Sequence, residues 1–209
     1  MNFILAHPRE VLSLTGEHLW LVSISTLIAV AIGVPLGILL TRRPKMKVFV
    51  LGSTNVIQTI PSLALFGLLL PLPWLGARAS RLAIVALALY ALLPIVRNTF
   101  LGIAGVSAPV REAALAMGLT SRQVLMMVEL PLATPVILGG IRTAVVITIG
   151  VATIAAAIGA GGLGEFIFRG IAMVDNGVIL AGALPAAAMA LFADLGLGAL
   201  EKSLARRRH

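Results

Sequence analysis

One stretch of 22 residues without a charge, residues 19–40, constrains this chain more than any other feature. A helix rises about 1.5 Å per residue, so a stretch of this length spans a hydrocarbon core of roughly 30 Å. The composition agrees, because 59% of the 209 residues are hydrophobic and only 11% are charged. One soluble core of this size needs far less apolar surface, so the sequence predicts an all-α integral membrane protein.

Further apolar segments follow the first, separated by charged or Gly/Pro-containing loops. In the first segment Ala29, Gly33 and Gly37 recur at every fourth residue, which predicts a face of small side chains against which another helix packs closely. Together the segments predict about five membrane helices in one transmembrane domain that covers residues 1–209: 19–40, 48–70, 82–102, 133–158 and 178–200.

The basic residues predict the orientation of these helices. Twelve lie on one side of the predicted membrane and four on the other, and loops rich in Lys and Arg are typical of the cytoplasmic side. We therefore expect the N-terminus outside and the C-terminus in the cytoplasm. The twelve are Arg42, Arg43, Lys45, Lys47, Arg97, Arg111, Arg122, Arg142, Lys202, Arg206, Arg207 and Arg208.

The composition also excludes several kinds of site. The formal net charge of +8 does not indicate nucleic-acid binding, because the charges lie between apolar spans and not on one face of a soluble domain. No cysteine is present, so neither a disulfide framework nor a cysteine nucleophile is available. His7, His18 and His209 form no ligand pair. We predict no metal site and expect each histidine to be solvated or interfacial.

The stretch REAALAMGLTSRQVLMMVELP, residues 111–131, is polar and favours helix inside an otherwise apolar chain. Gly118 supplies the left-handed residue that ends a helix. Thr120 and Gln123 have the spacing of a capping box, which begins a second helix, and Pro131 is expected to end or kink it. The stretch therefore predicts a helix, a glycine turn and a second helix that face water and a partner.

The same residues resemble a known motif. Glu112-Ala113-Ala114, Gly118 and Leu130-Pro131 have the spacing of the EAA loop in membrane subunits of ATP-binding-cassette (ABC) importers, with Val128 where that family usually has Ile. The resemblance implies a type I ABC importer permease fold, with a coupling helix that docks in a groove of a cytoplasmic ATPase. It implies an ATPase-coupling role for Arg111, Glu112, Ala113, Ala114, Gly118, Leu130 and Pro131. An amphipathic helix on the membrane surface without a partner is the alternative.

Polar side chains interrupt the second predicted span at membrane depth. Asn55, Gln58 and Ser62 lie at i, i+3 and i+7, and Thr59 adjoins them, so one helical face is placed to line a substrate pathway. Hydrogen bonding between helices, which satisfies polar groups inside a bundle, explains the pattern equally well. Two segments, residues 57–65 and 158–171, resemble permeases that import osmoprotective quaternary amines.

Three glycines, Gly159, Gly161 and Gly164, match the G-x-G-x-x-G fingerprint of a dinucleotide site. That fingerprint needs a preceding strand and an acidic residue about 20 positions later, whereas a predicted membrane helix precedes these glycines. We expect instead an irregular turn at the end of the fourth span. Glu165 and Arg169 follow at i, i+4 spacing, which predicts a weak surface ion pair.

The chain has no sequence signature of an ATP site. Its only lysines are Lys45, Lys47 and Lys202, and none follows a glycine, so the loop G-x-x-x-x-G-K-[ST] is absent. No clustered set of catalytic groups is present either, which argues against an enzyme. Asp194 lies within the last span and is expected to pair with Arg142, with a proton-relay role as the alternative.

These features predict the transmembrane permease subunit of a binding-protein-dependent ABC importer in the bacterial inner membrane. By resemblance the chain binds no cofactor and is surrounded by membrane lipid. Its implied partners are a cytoplasmic ABC ATPase dimer that uses the ATP, a second permease, identical or homologous, and an extracytoplasmic substrate-binding protein. The expected substrates are glycine betaine, choline or carnitine. A permease for another trimethylated compound or for an amino acid such as methionine is the alternative. A secondary transporter is less favoured, since we find no inverted repeat or coupling acids.

Overall fold

The computed structural model describes residues 2–206, and all regular secondary structure within them is helical. Arg207, Arg208 and His209, which belong to the predicted cytoplasmic tail, lie outside the described residues. The helices are α1 (Asn2–Ala6), α2 (Pro8–Arg42), α3 (Pro44–Thr59), α4 (Ser62–Leu69), α5 (Pro73–Gly76), α6 (Ala79–Ala104), α7 (Ala108–Ala116), α8 (Ser121–Val124), α9 (Leu130–Ala155), α10 (Gly164–Met173) and α11 (Asn176–Arg206). A π-helical turn (Leu125–Glu129) joins α8 to α9, and a 3-10 turn (Ala156–Ile158) follows α9.

Among the described residues, four helices are long and apolar enough to cross a membrane: Pro8–Arg42, Ala79–Ala104, Ser121–Ile158 and Asn176–Ala205. A bent pair of shorter helices supplies a fifth crossing if its halves are taken as one span. The prediction of an all-α membrane protein is therefore confirmed.

The second predicted span, residues 48–70, is not one helix. α3 ends at Thr59 and α4 begins at Ser62, with a bend of 102° between them. Pro61 explains the break, because its ring disfavours helical geometry at the preceding residue, and Ile60 is extended with φ −69° and ψ 126°. The residues of the predicted span 48–70 therefore form two helices, which make one crossing if the bent pair is taken as a single span.

Pro131 does not end the helix in which it lies. The backbone stays helical from Ser121 to Ala155. In the π-helical turn the N–H of Leu130 donates to the carbonyl of Leu125, one residue further back than in an α-helix. This wider turn directly precedes Pro131, whose ring would clash with the carbonyl four residues earlier in a regular helix. The expected helix end is thus replaced by a local change of helix type.

Helix α6 lies at the centre of the bundle and contacts α2, α3, α4, α5 and α9. The predicted small-residue face of α2 packs against it, and Ala29, Gly33 and Gly37 are all buried. A Cβ atom on Gly33 would lie 2.8 Å from Ile95 Cγ2, and one on Gly37 would lie 2.5 Å from Thr99 Cβ. The close approach of α2 and α6 therefore depends on glycine, which confirms the predicted packing face.

The last helix, α11, presents a very different surface. Leu184, Leu191, Phe192 and Leu195 are between one-half and three-quarters exposed. Water-soluble chains rarely expose so much contiguous apolar area. In a bilayer such a surface is covered by lipid or by a second membrane subunit.

Candidate functional site

The docking loop, residues 108–131, connects α6 to α9 and has the predicted form of helix, glycine turn and helix. α7 ends in a Schellman motif, in which the N–H of Leu119 donates to the carbonyl of Ala114 at 3.2 Å and the N–H of Gly118 donates to that of Leu115 at 2.9 Å. Gly118 has φ +86°, the left-handed conformation that closes this motif without a side-chain penalty. The predicted glycine turn is confirmed.

Helix α8 begins with the predicted capping box. The N–H of Gln123 donates to Thr120 Oγ1 at 3.4 Å, and the N–H of Thr120 donates to Gln123 Oε1 at 2.8 Å. Two backbone N–H groups that lack a partner within the helix are thereby satisfied locally. The N-cap of α8, Thr120, is thus fixed two residues after Gly118.

The predicted ATPase-coupling residues divide between an exposed and a buried face of this loop. Two apolar neighbours in α7 and its turn, Leu115 and Met117, are 51% and 74% exposed. Apolar side chains so exposed on a short polar element indicate a surface that a partner covers. Of the coupling residues, Glu112, Ala113, Gly118 and Pro131 are exposed, Arg111 and Leu130 are half-buried, and Ala114 is buried.

The carboxylate of Glu129 lies beneath the docking loop and joins it to the first membrane helix. Its side chain is only 1% exposed. Arg42, at the end of α2, donates through Nη2 to Glu129 Oε2 at 2.5 Å. Arg111 Nε lies 2.9 Å from Glu129 Oε1, but its N–H has no hydrogen-bond acceptor, so this contact is an ion pair. Arg111 Nη2 donates to the carbonyl of Ile103 in α6, so α2, α6, α7 and the π-helical turn meet at this cluster.

The π-helical turn changes which residues of this segment face inward. One such turn adds a residue to the helix and rotates the preceding residues by roughly 100° relative to a regular α-helix. A regular helical repeat would place Met126, seven residues before the buried Ala133, on the inner face, but Met126 is 57% exposed. Glu129 lies four residues before Ala133 and stays on the inner face of the helix, where it is buried.

Sequence reasoning did not select Glu129 as a site residue. The available signal was its isolation, because it is the only charged residue between Arg122 and Arg142. A lone carboxylate in an apolar stretch needs a cation when it is buried. Nothing in the sequence indicated that both Arg42 and Arg111 would supply one.

The break between α3 and α4 holds three of the four predicted pathway residues. Gln58, Thr59 and Ser62 line a cavity of about 310 Å³, together with Tyr90 of α6. Asn55 is exposed and does not line this cavity. Gln58 lines this cavity and also donates through Nε2 to the carbonyl of Tyr90 at 3.1 Å, which is a hydrogen bond between helices. The substrate pathway itself stays a prediction.

Tyr90 is a second residue that sequence reasoning did not assign to this site. Its hydroxyl donates to the carbonyl of Ile60, which the break leaves without a helical partner. Irregular backbone at membrane depth is tolerated where other groups satisfy it or where it lines a cavity. Tyr90 and Gln58 thus tie the broken helix to α6 by two hydrogen bonds in opposite directions.

The predicted pair of Arg142 in α9 and Asp194 in α11 is confirmed. Arg142 Nε donates to Oδ1 at 2.6 Å and Nη2 donates to Oδ2 at 2.8 Å, a bidentate geometry. Glu201 Oε2 lies 3.5 Å from Arg142 Nη1. Because both oxygens of Asp194 are engaged by one arginine, the arrangement favours a structural clamp over a proton relay.

The other end of α9 carries the glycine turn. Gly159, Gly161 and Gly162 have φ values of +77°, +86° and +83°, which confirms the predicted irregular turn. The N–H of Gly162 donates to Glu17 Oε2 at 3.1 Å. The turn is thus anchored to the start of α2 by a carboxylate.

Two predictions at this end are wrong. Arg169 pairs with Glu10 of α2 at 2.8 Å and not with Glu165. The guanidinium of Arg169 lies over the Phe166 ring, 4.8 Å from its centroid, and this position brings it within reach of α2. His18 is fully buried and is neither solvated nor interfacial. Its Nε2 lies 3.2 Å from the carbonyl of Ile149 and donates to it in the matching tautomer, since α2 turns this side chain towards α9.

Long apolar helices, a helix broken at membrane depth and an exposed helix-turn-helix at one end together define a membrane-embedded transport subunit. The chain belongs to the family of binding-protein-dependent transport system inner membrane components, which its residues 33–207 match. The resemblance recognised in the docking loop is therefore confirmed.

Several curated proteins are similar over nearly the whole chain. The carnitine transport permease protein OpuCB of Listeria monocytogenes is 42% identical over 204 residues, covering 98% of this chain and 92% of that protein. The glycine betaine/carnitine/choline transport system permease protein OpuCD of Bacillus subtilis is 48% identical over 190 residues, covering 90% and 81%. The osmoprotectant import permease protein OsmW of Salmonella typhimurium is 46% identical over 196 residues, covering 93% and 91%.

Solved structures show the same fold. An inward-facing structure of the MetNI methionine ABC transporter matches with a TM-score of 0.82 at 22% identity, covering 98% of both chains. An amino acid ABC transporter determined with histidines matches with a TM-score of 0.73 at 20% identity, covering 98% of this chain and 96% of that one. At this identity the likeness concerns the fold alone, and it confirms the predicted type I ABC importer permease fold.

Proposed function

We propose that this chain is the transmembrane permease subunit of an ABC importer for osmoprotectant quaternary amines such as glycine betaine, choline or carnitine. The names of relatives at 42–48% identity support this substrate class. The observation that carries the proposal is the exposed face of α7, which is tied from beneath to the first membrane helix through Glu129.

The docking loop supplies the link to ATP. A cytoplasmic ABC ATPase dimer binds the face around Glu112, Ala113 and Gly118 and uses the ATP, while this chain binds no cofactor. Because Arg111 of α7 and Arg42 of α2 share the carboxylate of Glu129, a displacement of α7 acts directly on α2. Glu129 is therefore a positioning residue between the docking surface and the membrane helices.

The remaining partners follow from the surfaces of the bundle. The excess of basic residues around the docking loop supports a cytoplasmic position for that end and for the C-terminus, with the N-terminus outside, in a bacterial inner membrane. Five crossings form only half a pathway, so a second copy or a homologous permease completes it. An extracytoplasmic binding protein delivers the substrate at the end that carries the glycine turn.

The substrate route passes the break between α3 and α4. Gln58, Thr59 and Ser62 line the cavity there and offer neutral hydrogen-bonding groups to a zwitterion or a cation. Asn55, one turn earlier in α3, is assigned to the same route because it lies exposed on α3.

Affinity purification of the tagged chain in mild detergent, with mass spectrometry of the copurifying chains, tests the partners. Recovery of an ABC ATPase, with or without a second permease, is the expected result. Recovery of this chain alone, both in detergent and in lipid nanodiscs, would contradict the proposal.

Uptake of radiolabelled glycine betaine, choline, carnitine and methionine by cells that express the complete transporter tests the substrate class. We expect uptake of at least one quaternary amine, and its loss in Gly118→Glu, which places a charged side chain on the docking surface. Gly118→Asn is the matched control, because asparagine tolerates the left-handed conformation. Uptake of methionine and of none of the amines would instead support the alternative substrate class.

A further inference from the structure

A small cavity of about 270 Å³ opens beside Glu129. It lies at the end of the bundle that carries the docking loop, which we call the docking end. Its charged lining consists of Arg42, Lys47, Arg111 and Glu129, and Phe100 and Leu40 are among its apolar lining residues. Three cations therefore share the cavity with a single carboxylate. With all four groups ionised, the lining has a net charge of about +2.

Within the residues that the structure describes, the cations of this cavity have more hydrogen-bond donors than acceptors. The guanidinium groups of Arg42 and Arg111 each carry five N–H groups. Of these ten, Glu129 accepts a hydrogen bond only from Nη2 of Arg42. The buried Nε of Arg111 has no hydrogen-bond acceptor. Within residues 2–206, Lys47 has no carboxylate within 4.0 Å, and its Nζ lies 4.5 Å from the centroid of the Phe100 ring. The cavity thus combines free donors, excess positive charge and an aromatic wall.

The neighbouring surface is strongly apolar. Val48 and Phe49, directly after Lys47 in α3, are 81% and 76% exposed. Cations next to exposed apolar side chains at the end of a membrane helix are typical of the boundary between hydrocarbon and lipid headgroups. A soluble anion would use only the charged lining, whereas a phospholipid would also cover Val48 and Phe49.

We propose that this cavity binds the phosphate of an anionic phospholipid, with Lys47 as its main contact and the acyl chains lying along the exposed face of α3. Arg42 and Arg111 contribute the N–H groups that neither Glu129 nor the carbonyl of Ile103 accepts. The position of the site in the inner leaflet depends on the orientation proposed above, whereas the binding itself does not.

The test measures binding of phosphatidylglycerol to the purified full-length chain in detergent, by native mass spectrometry, with phosphatidylcholine of the same acyl chains as the reference lipid. Lys47→Gln is the test variant, because Lys47 takes no part in the ion pairs of Glu129. Lys45→Gln is the matched control, since Lys45 is an exposed cation in the same helix that does not line the cavity. We expect phosphatidylglycerol affinity to fall about fivefold in Lys47→Gln and to stay unchanged in Lys45→Gln.

Inorganic phosphate at millimolar concentration separates the two sources of the anion. If it fails to displace phosphatidylglycerol, a lipid is the ligand. Displacement that depends on Lys47 would assign the site to a free phosphate and overturn the lipid proposal. Equal affinities for the two lipids, or equal losses in the two variants, would overturn it as well, because they indicate diffuse surface charge. No ATPase is present in this assay, so its outcome is independent of the proposed transport function.

Discussion

Gly118 and Gly161 adopt the same backbone conformation, with φ +86° in both, near opposite ends of α9. That helix has 26 residues and is about 39 Å long. A Cβ atom on Gly118 would meet nothing within 4 Å, whereas one on Gly161 would lie 2.5 Å from Glu17 Oε2. The left-handed conformation that favours glycine thus occurs in an open surface at the docking end and against the side chain of Glu17 at the opposite end.

The acidic residues show the reverse arrangement, because the docking end has the buried carboxylate and the opposite end has the exposed one. Glu129 at the docking end is 1% exposed and holds two arginines, whereas Glu10 at the opposite end is 39% exposed and holds Arg169. The docking end therefore combines an exposed surface with a cluster of charged side chains beneath it, in which Glu129 is buried. The exposed docking loop is therefore held in place from beneath by a carboxylate that is itself buried.

The largest effect is expected for Glu129→Ala. Removing one partner of a buried charge cluster costs about 3–5 kcal/mol, and we expect about 3 kcal/mol in the free energy of unfolding, because Arg42 and Arg111 keep some contact with solvent. Tryptophan fluorescence during unfolding in a denaturing detergent measures this change. Arg43→Gln, at an exposed neighbour of Arg42, is the control and should have almost no effect.

Glu129 also has a functional readout that a purely structural role would not change. In the purified transporter, Glu129→Gln should keep ATP hydrolysis while the substrate molecules imported per ATP decrease, since the amide cannot neutralise both arginines. Restoration of this ratio by Glu129→Asp would support the role of the negative charge. An unchanged ratio in Glu129→Gln would show that the carboxylate does not couple α7 to α2.

The next effect in size is expected for Gly161→Ala. An alanine in the left-handed conformation costs about 1–2 kcal/mol, and displacement of Glu17 also weakens its bond to the N–H of Gly162. We expect a total loss of about 2 kcal/mol in the free energy of unfolding. In a Glu17→Ala background the same substitution should cost only about 1 kcal/mol. Equal costs in both backgrounds would mean that Glu17 does not enclose the turn.

A smaller effect is expected for Gly118→Ala. No neighbouring atom opposes the added methyl group, so only the backbone conformation contributes, about 1 kcal/mol. Gly118→Asn should cost less than about 0.5 kcal/mol, because asparagine adopts this conformation more readily. The same unfolding measurement checks both variants. A cost for Gly118→Ala as large as that for Gly161→Ala would remove the proposed contrast between open and enclosed turns.

The features that the sequence predicted well are those that depend on neighbouring residues. The capping box of Thr120 and Gln123 involves a separation of three residues, and the Schellman turn at Gly118 involves five. The small-residue face of α2 follows from its helical repeat alone. Such patterns are determined by helix geometry, so they can be derived before any tertiary contact is known.

The features that the sequence did not predict depend on distant residues or on an irregular turn. Arg42 and Glu129 are 87 residues apart, and His18 and Ile149 are 131 residues apart. The outward position of Met126 also requires a π-helical turn, which hydrophobic periodicity does not encode. Pro61 indicated an interruption, but the bend of 102° depends on how α3 and α4 pack against α6.

The smallest effect is expected for Glu10→Gln at the opposite end. Exposed ion pairs contribute about 0.2–1 kcal/mol. We expect a loss at the lower end of this range, because the guanidinium of Arg169 keeps its position over the Phe166 ring, where a cation is still stabilised. The small loss in the free energy of unfolding should disappear in about 1 M salt, where the Debye length is roughly 3 Å. The loss in Glu129→Ala should persist there, because its carboxylate is shielded from ions by burial. If the loss of unfolding free energy in Glu10→Gln persisted in salt and approached the loss in Glu129→Ala, burial of charge would not distinguish the two ends. Another interaction would then have to hold the docking loop in place.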